Sequence, residues 1–114
     1  MPDTIFAKIL RKEIPARFVH EDELCAAFYD INPQAPTHIL IIPKKPLTGV
    51  DDITDGDEAL VGHLVRVARD IARSLNLQES GYRLVVNQGA AAGQTVFHLH
   101  VHLLGGRVLT WPPG

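Results

Sequence analysis

The sequence predicts an α+β fold, and three observations carry the prediction. One long segment repeats apolar residues at helical spacing, and several short segments rich in β-branched and aromatic residues read as strands. Short turns join the strands, which requires antiparallel pairing and leaves the helices packed together on one face of the sheet.

The elements follow in order. "DTIFAKILRKEIP" reads as a short helix, capped by Asp3, with Ile5, Phe6, Ile9 and Leu10 on one face and Pro15 closing it. "ARFVHED" and "LCAAFYDI" read as two strands around a tight acidic turn. "NPQAPTH" is a turn cluster, and "HILIIPK" an apolar β-branched run suited to a central strand. After the loop "PLTGVDDITDGD" comes the long helix, about Asp57 to Leu75, with Asp55 and Glu58 spaced as a capping box. Leu60, Leu64, Val67, Ile71 and Leu75 form its stripe, and Arg66, Arg69, Asp70 and Arg73 its solvated side. "YRLVVNQ" is a strand, "GAAAGQT" a small-residue loop, "TVFHLHVHLLGG" the last long strand and "RVLTWPPG" the tail. The result is a five-stranded antiparallel sheet with one short and one long helix.

The totals narrow the classes. With 114 residues, residues 1–114 are expected to form one domain with a real core. Thirteen acidic against eleven basic residues, net charge −2, argue against a nucleic-acid binder but leave room for one phosphorylated small molecule. Cys25 is the sole cysteine, so no intrachain disulfide forms, which fits a reducing compartment. Charged residues from Asp3 to Glu13 interrupt any signal-peptide core, and no apolar run reaches membrane-spanning length. A cytoplasmic protein with no membrane partner is expected.

The last strand carries the chemistry. Alternation puts His98, His100 and His102 on one face, roughly 6.6 Å apart in sequence order, and Phe97, Leu99, Val101 and Leu103 on the other, toward the core. Three readings compete: a polar face that happens to use histidine, a zinc site with two strand histidines and a third ligand, and phosphate chemistry with one imidazole as nucleophile. Spacing does not separate the last two. The neighbourhood favours phosphate. "NQGAAAGQT" places Gly89 and Gly93 where backbone amides can approach an anion, and Asn87, Gln94 and Thr95 add uncharged donors. No Asp, Glu or Cys lies between Asn87 and Gly114 to complete a zinc set. His38 opens the central strand and can meet the three histidines; Asp30 ends its strand beside an apolar stretch and suits two ribose hydroxyls. His20 and His63 read as structural or exposed.

"HLHVHLL" has the His-x-His-x-His-x-x pattern of the histidine triad (HIT) superfamily. With "DTIFAKILRKEIPA", "FYDINPQAPTHILIIPKK", "VVN", "GQT" and "WPPG", nearly the whole chain resembles its Hint branch, the histidine triad nucleotide-binding proteins. The resemblance implies a HIT-like fold whose sheet extends across a homodimer. The implied activity is that of a purine nucleoside phosphoramidase with no metal and no cofactor, acting on an adenosine 5′-monophosphoramidate type of substrate. It implies His100 as nucleophile, His98 and His38 as the groups that orient and polarise it, and His102 and Asn87 on the phosphate with backbone around Gly93, Gln94 and Thr95. Asp30 would hold the ribose, and Phe6, Ile9, Phe28, Ile31 and Leu40 would enclose the purine. Trp111 would lie near the partner subunit's site. Two positions depart from the pattern: Thr95 and Asn32 stand where serine is usual. Thr95 is further expected to help a proton reach the leaving amine. The rival expectations are a non-catalytic nucleotide sensor or partner-binding module using the same pocket, and a zinc-binding protein.

Overall fold

The structure is a computed structural model that describes residues 3–114. Its elements run α1 (Ile5–Leu10), β1 (Phe18–Glu21), β2 (Cys25–Tyr29), β3 (Thr37–Pro43), α2 (Glu58–Ser74), β4 (Tyr82–Val85) and β5 (Val101–Gly105). The strands form one antiparallel sheet in the order β1-β2-β3-β5-β4. No helix among the described residues is long and apolar enough to cross a membrane.

The two helices lie on opposite faces of this sheet, not on one. Alternation divides β2 and β3: Cys25, Ala27, Ile39 and Ile41 pack with Leu99, Val101 and Leu103 against Leu64, Val67, Ala68, Ile71 and Ala72 of α2. Ala26, Phe28, Leu40 and Ile42 meet Phe6 and Ile9 of α1 on the other face. The central strands are buried on both sides, so their runs read as continuous apolar sequence and hide which helix goes where. Each buried Leu, Ile or Val contributes about 1.5–3 kcal/mol.

Local chemistry shifts several boundaries. Thr4, not Asp3, caps α1: its backbone is extended and its hydroxyl accepts from the Ala7 amide at 3.1 Å. Asp3 instead pairs with Arg11 at 2.8 Å. The helix ends at Leu10, well before Pro15, because Lys12 turns the chain with φ 63°. The capping box before α2 is Thr54 with Asp57 rather than Asp55 with Glu58. Asp57 Oδ2 takes the Thr54 amide at 2.9 Å and Oδ1 takes Lys45 Nζ at 2.6 Å. The Lys45 ammonium and the Thr54 donors hold that carboxyl down at about 2.

The last strand is shorter than the alternation predicts. It begins at Val101, because its neighbours stop supplying partners: the β3 ladder ends at Ile41 opposite Val101 and the β4 ladder at Val85 opposite His102. Upstream, the Leu99 amide donates to Leu47 O at 2.7 Å instead. The inward set holds for Leu99, Val101 and Leu103 but fails at Phe97, which is 46% exposed.

Candidate active site

The α1 face of the sheet carries a cavity of about 480 Å³, inside the range of about 300–1,000 Å³ usual for small-molecule sites. Phe6 and Ile9 from α1, Phe28 from β2 and Leu40 from β3 line it, with Asp30, Ile31, His38, Gly93, Thr95, His100 and His102. The even positions of β2, β3 and β5 put Phe28, Leu40 and His102 on the same face as α1, which is why residues distant in sequence converge here. Ile31 sits at the mouth and is 93% exposed.

The histidines are held in defined hydrogen-bonding states. His98 lies behind the cavity, its Nε2 donating to Pro43 O at 2.8 Å. His100 is buried, and its Nδ1 donates to His98 O at 2.6 Å. A neutral imidazole whose Nδ1 carries the proton has its lone pair on Nε2. A chain of bonds fixes the other pair. The Gln34 amide donates to His38 Nδ1 at 3.0 Å, so His38 carries its proton on Nε2 and donates to His102 Nδ1 at 2.9 Å. That leaves the proton of His102 on Nε2, which is buried and has no partner among the described residues. The rings of His100 and His102 stand 4.9 Å apart, and Phe6 packs edge-on against His100 at 5.0 Å.

Burial favours the neutral form of all four rings. It lowers His38 against the pull of Asp30, lowers His98 against its bond to Pro43, and lowers His100 against its bond to His98. His102 falls to about 4, because burial is joined by its neighbours His100 and His38.

The remaining residues expected at the site divide. Asp30 has two roles: Oδ1 accepts the Asn32 amide at 2.8 Å, closing the turn, and Oδ2 lies 3.5 Å from His38 Nε2. Gly93 lines the cavity with φ 95°, a left-handed conformation that glycine adopts without strain, and Asn87 stands beside it. Gln94 does not offer its side chain as a donor. It is 3% exposed and fully engaged, accepting from the Gly89 amide and donating to Thr48 O and Val96 O. Trp111 is 81% exposed and stands apart from the cavity of its own chain, with Arg83 over its ring.

Sequence reasoning missed the backbone groups that set the tautomers, Pro43 O and the Gln34 amide, since carbonyls and amides leave no mark in sequence. It also looked for metal-completing carboxylates only between Asn87 and Gly114 and gave Asp30 to the ribose; the fold brings Asp30, His38 and His102 donor atoms within 4.8 Å of one another, a set able to hold a metal ion.

Residues 11–109 match the HIT domain, and the curated and solved relatives agree. The chain belongs to the HIT domain family. An uncharacterised HIT-like protein of Synechocystis is 58% identical over 98% of this chain and 97% of its own. The HIT family hydrolase of Legionella pneumophila superposes with TM-score 0.95 at 51% identity, over 96% of this chain and 98% of that one. A histidine triad protein of Clostridium difficile gives TM-score 0.92 at 42% identity, over 96% of both. The HIT domain here thus has the fold of HIT family hydrolases, with the four histidines His38, His98, His100 and His102 in one connected cluster.

Proposed function

We propose that this HIT protein hydrolyses purine nucleoside 5′-phosphoramidates, of the adenosine 5′-monophosphoramidate type, through a nucleotidyl-histidine on His100. One observation carries the reading: His100 Nδ1 is committed to a backbone carbonyl, so its free Nε2 lone pair belongs to a ring lining the cavity, beside the unpartnered His102 Nε2–H. A neutral imidazole is a good nucleophile near pH 7. His100 Nε2 attacks phosphorus, the P–N bond breaks, and the amine leaves with a proton drawn from solvent that Thr95 helps to deliver and that the later attack of water returns. Water then cleaves the P–Nε2 bond, releasing the monophosphate and restoring the neutral ring. His102 Nε2–H, Asn87 and amides near Gly93 meet the charge on the phosphoryl oxygens, preplaced and costing no reorganisation. His98 and His38 act on their neighbours as positioning residues. Asp30 holds the ribose hydroxyls and the apolar wall from Phe6 to Leu40 takes the purine. The sole cysteine suits a cytoplasmic setting.

The Asp30, His38 and His102 donor set favours a second reading, a metal ion bound in the same cavity. The ion would take the nitrogens that now form the His38–His102 bond. Incubation with adenosine 5′-monophosphoramidate, with and without EDTA, separates the two: the phosphoramidase reading expects equal turnover in both. No turnover in either would refute it, and turnover lost to EDTA and restored by zinc would favour the metal.

A further inference from the structure

Across the sheet from the cavity, on the α2 side, four metal-ligating side chains converge. His20 Nε2 and His63 Nε2 each lie 2.7 Å from Asp22 Oδ2, and Cys25 Sγ lies 3.6 Å from the same oxygen. All the donor atoms fall within 4.8 Å of one another. We propose that His20, Asp22, Cys25 and His63 form a zinc site that ties the β1–β2 hairpin to α2.

The backbone is shaped to assemble this set. Phe18 pairs with Phe28, but His20 pairs with Ala27, so one extra residue bulges out of β1 between them. In a regular strand His20 would share the α1 face with Phe18. The bulge turns it to the face of Ala27 and Cys25, where His63 arrives from α2. Asp22 is pinned by its other oxygen, which accepts the Leu24 and Cys25 amides at 2.7 and 2.8 Å. Such outer contacts orient metal ligands.

The donor set selects the ion. Two imidazoles, a thiolate and a carboxylate suit zinc in tetrahedral geometry and disfavour the hard cations magnesium and calcium. Bond lengths to zinc imply ligand atoms roughly 3.3–3.6 Å apart, so the present 2.7 Å contacts open slightly as the ion replaces their protons. Binding releases the Cys25 thiol proton to solvent, and the two negative ligands then balance the dication. Each imidazole shifts its proton from Nε2 to Nδ1 as Nε2 takes the ion. At His63 this displaces Arg66, which approaches Nδ1 at 3.3 Å and already reaches Asp70 at 2.9 Å.

The test is titration of the untagged, metal-stripped chain with cobalt(II), followed by zinc. Because Cys25 is the only cysteine, a thiolate-to-cobalt charge-transfer band can arise from this site alone. The expected result is that band, with tetrahedral visible bands, at one ion per chain, abolished by zinc. His63→Gln should weaken binding more than about 100-fold, since even outer-shell changes cost 10–100-fold. No binding, or binding without a sulfur band, would overturn the proposal. So would binding that survives His63→Gln but is lost in His102→Asn, which would place the ion in the catalytic cavity. The wild-type spectrum decides even if a variant fails to fold, and it is independent of whether phosphoramidates are cleaved.

Discussion

Thr95 lines the cavity one residue after the buried, fully bonded Gln94. An amine leaves phosphorus poorly unless a proton reaches its nitrogen; the carboxylate of an acyl-adenylate needs no such help. Thr95→Val keeps the shape and removes the hydroxyl. It should therefore slow phosphoramidate cleavage by up to about 10²-fold, the lower end of general-acid assistance, and acyl-adenylate cleavage far less. The ratio of kcat/KM for the two substrates on both proteins checks this; equal losses would show that Thr95 acts on the phosphate or the loop. At this scale, the histidines were legible because three rings at period two on an apolar strand form a demanding pattern. Gln94 was not, because an amide in a loop reads the same whether it faces a ligand or its own backbone. His20 and His63 were passed over because a bulge and a helix register, neither visible in composition, bring them together.

Among the elements, β3 and β5 are joined by the His38–His102 bond as well as by their ladder. Burial and its histidine neighbours hold His102 at about 4, below the ordinary 6.5. Between those values the unfolded chain binds more protons than the folded one, so stability rises with pH across this window and is lost as pH falls through it. At about 1.4 kcal/mol per unit, protonating His102 costs at most about 3 kcal/mol of stability, and less because solvent screens the accessible part of the ring. His38, His98 and His100 shift in the same direction. Urea midpoints from pH 7 to pH 4.5 should fall steeply, and His102→Asn should flatten the fall; an unchanged slope in the variant would contradict the assignment. Element types were readable from periodicity, and α2 stands within one residue of the expected span. Ends were not: the stop of α1 depends on Lys12 adopting a left-handed turn, and the start of β5 on where its neighbours' ladders end.

For the whole molecule, the sheet and its five strands followed from the strand pattern, whereas the placement of helices on opposite faces did not, since strands buried on both sides carry no face label. β4 is an edge strand, and beyond it Val108 and Trp111 are 83% and 81% exposed. An unpaired edge beside exposed apolar side chains is a surface suited to a second copy. We propose a homodimer joined at this edge, bringing Trp111 toward the partner's cavity. Light scattering at micromolar concentration should give twice the chain mass; a monomer alone would remove the proposal.

The central claim is that His100 Nε2 is the nucleophile. Rapid acid-free quenching during turnover of the phosphoramidate, with peptide mapping by mass spectrometry, tests it most directly. The account predicts a nucleotidyl adduct on His100, absent from His100→Ala, which should still bind the nucleotide because its purine and ribose contacts lie elsewhere. An adduct on His98 or His102, or substantial turnover by His100→Ala, would contradict it.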